Sequence, residues 1–119
     1  MKKIILLICF LTNIIGFSQE KKSIHKEEIL KVMKAQEVAW SNHDLEGFMK
    51  GYWKSDSLTF YGSSGLTYGW KKTLANYKKG YPTKDHTGTL KFKINDISKI
   101  SKKSYYVMGE YHLTRKAGN

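Results

Sequence analysis

One cysteine, one proline and one arginine stand in a chain of 119 residues, and each scarcity closes off a class of explanation. Cys9 lies in an apolar stretch at the N-terminus, so nothing beyond it can form a disulfide or a thiolate metal site. The four histidines, at 25, 43, 86 and 112, include no i, i+4 pair. No metal-ligand spacing appears, and no cofactor is expected. A glycine-rich phosphate cradle and a nucleophilic serine motif are also missing, since GSSG at 62–65 reads as a turn. Arg115 is the sole arginine against twenty lysines. Readers of nucleic-acid bases favour arginine forks, and no motif of that kind is present.

The lysines are spread as pairs: Lys21-Lys22, Lys71-Lys72, Lys78-Lys79 and Lys102-Lys103. A formal charge of +11 therefore reads as a solvated surface with some attraction to acidic polymers or anionic lipid, and no nucleic-acid partner is expected. Residues 1–18, MKKIILLICFLTNIIGFS, have a basic start, an apolar run and a small-x-small site at Gly16 and Ser18, the pattern of a secretory signal peptide. Thr12 and Asn13 interrupt the run, which is too short to span a bilayer. Ile8 precedes Cys9 where a lipoprotein anchor needs small residues. The mature chain, 19–119, is expected to be exported, periplasmic or secreted. It carries no integral membrane segment, forms one domain, and is held by its core or by a partner.

Within that domain, the spacing predicts a helix starting after Ser23, with Ile29, Val32, Met33, Gln36 and Trp40 on one stripe. Gln36 in this stripe must either tie down a neighbouring backbone or face a cavity. Asn42-His43-Asp44 is turn chemistry, and Asp44 caps a second helix presenting Leu45, Phe48, Met49, Tyr52 and Trp53. Residues 57–62 read as a strand. A third helix carries Trp70, Leu74, Tyr77 and Tyr81 on one side and lysines on the other, and Pro82 ends it.

The remainder is a hairpin turning at Ser101–Ser104. Counting back from that turn pairs Ile94 with Tyr111, Phe92 with Leu113 and Leu90 with Arg115, and sets Lys93 against His112. Near the tip Ile97 and Met108 share one face, Ile100 and Tyr105 the other. Residues 105–115 have nothing to pair against their far side, a hazard unless covered. A C-terminal portion of the natural chain is therefore expected to be missing.

The stretch AWSNHDLEGFMKGYWKSDSLTFYGSSGLTYGWKKTLANYKKGYP, followed by TLKFKI and YYVMGEYHLTRK, resembles the SnoaL-like proteins of the nuclear transport factor two-like superfamily, over residues 24–116. More narrowly, it resembles small exported members of bacteria such as the Bacteroidota. The resemblance implies an α+β fold: helices packed on a bent antiparallel sheet, forming a cone with a pocket. It also implies two further strands after residue 116, where relatives carry an aspartate–histidine pair. Members of the superfamily include isomerases, cyclases and dehydratases, while others bind ligands or assemble subunits.

No catalytic set carries over residue by residue, and Asp56 and His112 stand as the candidates. Asp56 reads as a general base at the pocket rim or as a turn cap. His112 and Glu110 read as an active pair or as a surface cluster with Lys93. Asp85 and His86 form a lid or an ordinary loop. Arg115, on the apolar face, needs a carboxylate or an anionic ligand. The leading expectation is a dimeric, metal-free domain that binds a small apolar or aromatic molecule through Gln36, Trp40, Trp70, Tyr111 and Arg115. The alternatives are a small lyase or isomerase using acid–base chemistry in the same pocket, and a pure assembly domain joined through its hairpin tip.

Overall fold

The computed structural model describes residues 15–117, with side chains from His25 onward. The signal peptide expected at 1–18 lies outside the described residues apart from the backbone of its last turn. The chain divides into two units, residues 1–31 and 32–119. What is described of the first is the N-terminal part of α1 (Ile15–Ser41). This helix does not begin after Ser23 but runs through it. No proline interrupts residues 15–31, and Gln19, Glu20, Lys21 and Lys22 are good helix formers. The stripe expected on α1 is used in part: Gln36 and Trp40 are buried, whereas Val32 is exposed.

In the second unit, the chain leaves α1 through His43, at a left-handed φ of 59°, and enters α2 (Leu45–Met49). Asp44 caps it, with Oδ1 accepting from the Gly47 amide at 2.8 Å. The helix stops early. The amides of Lys50, Gly51 and Tyr52 each donate to a carbonyl three residues back, at 3.2, 3.3 and 3.1 Å, a tightened last turn. Trp53 is consequently not on the face that Leu45, Phe48 and Met49 bury; it is 66% exposed.

β1 (Thr59–Gly62) and β2 (Gly65–Tyr68) form a hairpin closed by Ser63 and Ser64. Phe60 and Thr67 point inward, and Tyr61, Leu66 and Tyr68 point out. α3 (Trp70–Gly80) follows Gly69, and a single turn, α4 (Lys84–Thr87), leads into β3 (Thr89–Ser101) and β4 (Ser104–Thr114).

Ser101 pairs with Ser104, as the turn requires, but two bulges in β3, at Lys99/Ser101 and Ile94/Asp96, each slip the register by one residue. Leu90 therefore faces Leu113, Phe92 faces Tyr111 and Ile94 faces Gly109, two residues away from the expected partners. Two slips restore the alternation, so the apolar faces of both strands still coincide. Lys93 stands opposite Glu110, and His112 opposite Lys91. At the tip, Met108 faces Asp96 and is exposed, while Ile97 is buried opposite Val107.

The α+β class is as expected. The strands, however, stand as two separate ribbons among the described residues, β1–β2 and β3–β4. The core is Trp40, Leu45, Phe48, Met49 and Leu90, flanked by Leu74, Tyr77, Tyr81, Phe92 and Leu113. Each fully buried apolar side chain contributes about 1.5–3 kcal/mol. Among the described residues, no helix is long and apolar enough to cross a membrane.

Candidate functional site

The site grows out of Trp40. Its indole Nε1 donates to the Thr87 carbonyl at 2.8 Å, which pins the ring from one side and leaves its edges to other aromatics. Phe48, Tyr77 and Tyr81 meet it edge-on, with centroids 5.0, 5.6 and 4.7 Å away, the arrangement that ring quadrupoles prefer. Tyr52 and Phe60 extend the set, with Phe60 5.9 Å from Tyr52 and 5.8 Å from Tyr77. These rings do not close on one another. They border a cavity of about 400 Å³ that Leu90, Phe92, Tyr111 and Leu113 line from the hairpin and Gly62, Ser63 and Ser64 from the β1–β2 turn. A second cavity of about 400 Å³ shares Phe48, Tyr52, Phe92 and Tyr111 and adds Met33, Gln36, Ile94 and Val107, with Glu110 among its lining residues.

Among the described residues, no lysine, arginine, histidine, aspartate or glutamate lines the first cavity. The side chains that bring polar groups to its lining are tyrosines, serines and Trp40. The Tyr52 and Tyr77 hydroxyls lie beside each other. Burial pushes the Tyr77 phenol far up, helped by Tyr52 beside it, and burial also raises Tyr52. Both therefore stay neutral at ordinary pH.

Gln36 does both things open to it. Its Nε2 donates to the Phe48 carbonyl at 3.3 Å, and it lines the second cavity. Gly51 makes this approach possible, because a Cβ there would stand 2.5 Å from Gln36 Nε2.

Of the residues expected at the pocket, the structure brings together Trp40 and Tyr111 in the first cavity and Gln36 and Tyr111 in the second. Trp70 lines neither. Its Nε1 donates to the Met49 carbonyl at 2.8 Å, and Lys54 Nζ sits 5.0 Å above its ring, so it ties α3 to α2. Arg115 follows β4 and lies beside Gly88 at the base of the hairpin, because the register slip moves it away from Leu90. Asp56 is exposed in the turn before β1, against Gly69. His112 is on the outer face, its Nε2 3.4 Å from Glu110 Oε2. Neither lines the cavities.

Glu37 was not visible as important from the sequence. It is buried, its Oε1 accepts from the Phe92 amide at 2.6 Å, and its Oε2 meets Lys34 Nζ at 2.6 Å. The Lys34 ammonium and then the Phe92 amide hold its carboxyl below the ordinary value of 4.5. One turn on, Ser41 Oγ accepts from the Leu90 amide at 3.0 Å. The signal that could have found the pair is their i, i+4 spacing on the flank of the buried stripe.

A solved crystal structure, that of an NTF-2-like protein of unknown function from Shewanella oneidensis MR-1, is 39% identical to this chain. The two superpose with a TM-score of 0.71, over 76% of this chain and 74% of that one. No family model matches the sequence, and no curated protein does.

Proposed function

The chain belongs to the NTF-2-like family, and from that premise we propose that it is an exported binding domain, periplasmic or secreted, which holds a small, uncharged apolar or aromatic molecule and works as a homodimer. The observation that carries the reading is the cavity of about 400 Å³, walled by aromatic rings and, among the described residues, free of charged side chains. Its size falls in the range of about 300–1,000 Å³ typical of ligand sites. A charged ligand would enter it without a counter-ion, whereas a flat neutral one keeps its dispersion contacts and can accept a hydrogen bond from a phenol. Acid–base catalysis asks for a carboxylate or imidazole within hydrogen-bond reach of the substrate, and Asp56 and His112 both lie outside the cavity. Binding is therefore favoured over a lyase or isomerase. Export rests on the pattern of residues 1–18.

Titration of the purified chain with N-phenyl-1-naphthylamine, a neutral fluorophore, tests the binding. The expected result is a saturable rise in emission that Ser64→Trp, which adds bulk at the cavity mouth, weakens about tenfold or more, equivalent to ~1.4 kcal/mol. Trp53→Phe, at an exposed position, is expected to leave the curve unchanged. Emission that never saturates, or that Ser64→Trp leaves as it was, would contradict the proposal.

A further inference from the structure

Gln36 is the polar member of the stripe on α1, and its amide is only half used. The side chain is 8% exposed, and Nε2 donates to the Phe48 carbonyl. That bond fixes which way the amide faces, because a carbonyl only accepts and so must meet the nitrogen. Oε1, the acceptor, is left over: no hydrogen bond from another described residue reaches it. Among the described residues, no buried side-chain oxygen or nitrogen is sealed off without a partner. Oε1 is therefore open to the cavity that Gln36 lines.

The amide is held in place. The Phe48 carbonyl also accepts from the Gly51 amide at 3.3 Å, and Gly51 leaves room for Gln36 Nε2 and Cδ, which a Cβ there would meet at 2.5 and 2.6 Å. These groups stand on α1, on α2 and on the turn after it. Phe48, Tyr52, Phe92 and Tyr111 line this cavity and the aromatic one alike, so a ring lodged among those four has Gln36 on its border. Glu110 is also in the lining, but its carboxylate is engaged with Lys93 and His112 on the exposed face. A molecule that fills the cavity excludes water from Oε1 and must itself bring a donor. Without one, a buried acceptor is left unpaired, which costs more than a typical hydrogen bond gains.

We propose that the ligand is a neutral aromatic molecule bearing a hydroxyl, with its ring among Phe48, Tyr52, Phe92 and Tyr111 and its O–H donating to Gln36 Oε1. The inference rests on the proposed binding function and deepens it: the rings select the body of the ligand, and Gln36 selects its head group. A carboxylate would bring an acceptor to an acceptor. An ammonium would donate, but a chain of formal charge +11 repels it. A hydroxyl donates without charge, and its oxygen also accepts, which suits the Tyr52 phenol in the same lining.

Two probes that share a ring system test this: 2-naphthol, neutral at about pH 7, and its methyl ether, 2-methoxynaphthalene, which has no donor. Each is titrated into the purified chain and followed by proton–nitrogen NMR. The wild type is expected to bind 2-naphthol about three- to tenfold more tightly than the ether, the worth of one hydrogen bond. Gln36→Met keeps the length of the side chain but offers only a weak thioether acceptor, and is expected to bind the two within about twofold of each other. A preference that came from size would survive in that variant. Circular dichroism checks that the variant is folded, and the wild-type ratio needs no variant. Equal affinity of the two probes in the wild type, or a preference that folded Gln36→Met retains, would overturn the proposal and leave the binding function standing. A chain that binds neither probe would contradict the binding function and the choice of head group together.

Discussion

On one side of the β3–β4 ribbon, Ser41 and Glu37 accept the outward amides of Leu90 and Phe92; on the other, the same kind of group at Gly109, Tyr111 and Leu113 meets no strand among the described residues. The contrast shows that a helix can do a strand's work at a sheet edge when the spacings agree. Residues i and i+4 on a helix rise about 6 Å, and residues i and i+2 on a strand advance about 6.6–6.8 Å. Two acceptors one helical turn apart thus reach two amides two residues apart. The same side of the ribbon closes the cavity with the buried Trp40, while the opposite side leaves Tyr111 exposed.

The largest expected difference between the two sides is in packing. Trp40→Ala should lower stability by about 3–5 kcal/mol, through the lost ring and the cavity it leaves. Tyr111→Ala in dilute solution should stay within about 0.5 kcal/mol. Urea denaturation measures both, and equal losses would erase the contrast.

Glu37→Ala comes next. It strands the Phe92 amide and should cost about 1–3 kcal/mol, most of which Glu37→Gln should recover, since its carbonyl still accepts. The carboxyl also sets a pH dependence. Its value in the folded chain is held below 4.5 by Lys34 and the Phe92 amide. Its stabilisation is therefore complete above 4.5 and is lost as pH falls through the lower folded value. Urea midpoints measured downward from neutral pH should show that loss in the wild type and a shallower one in Glu37→Gln. Ser41→Ala, the smallest step, should cost about 1 kcal/mol by the same assay.

Much of this arrangement is legible in the sequence, and the limits have physical causes. The turn at Ser101–Ser104 and the cap at Asp44 are local, so spacing alone finds them. The β3–β4 register is not legible, because two bulges leave a period-two pattern unchanged while moving every partner by two residues. That slip is why Arg115 sits at Gly88 and away from Leu90. Trp53 follows the helical period of its segment, but the chain tightens at Gly51 before reaching it. Trp70 belongs to an aromatic face, yet its N–H goes to Met49 and not toward a ligand. The Glu37–Phe92 bond and the Tyr52–Tyr77 pair join elements far apart in the chain, and no local pattern announces such contacts.

The helix-satisfied edge of β3 is tested most directly by amide hydrogen exchange, read by NMR at Leu90 and Phe92 in the wild type and in Glu37→Ala. The account predicts that both amides are protected in the wild type, and that Glu37→Ala exposes Phe92 to exchange while Leu90, held by Ser41, stays protected. Free exchange at both amides in the wild type, or a Phe92 amide as protected in Glu37→Ala as before, would contradict it.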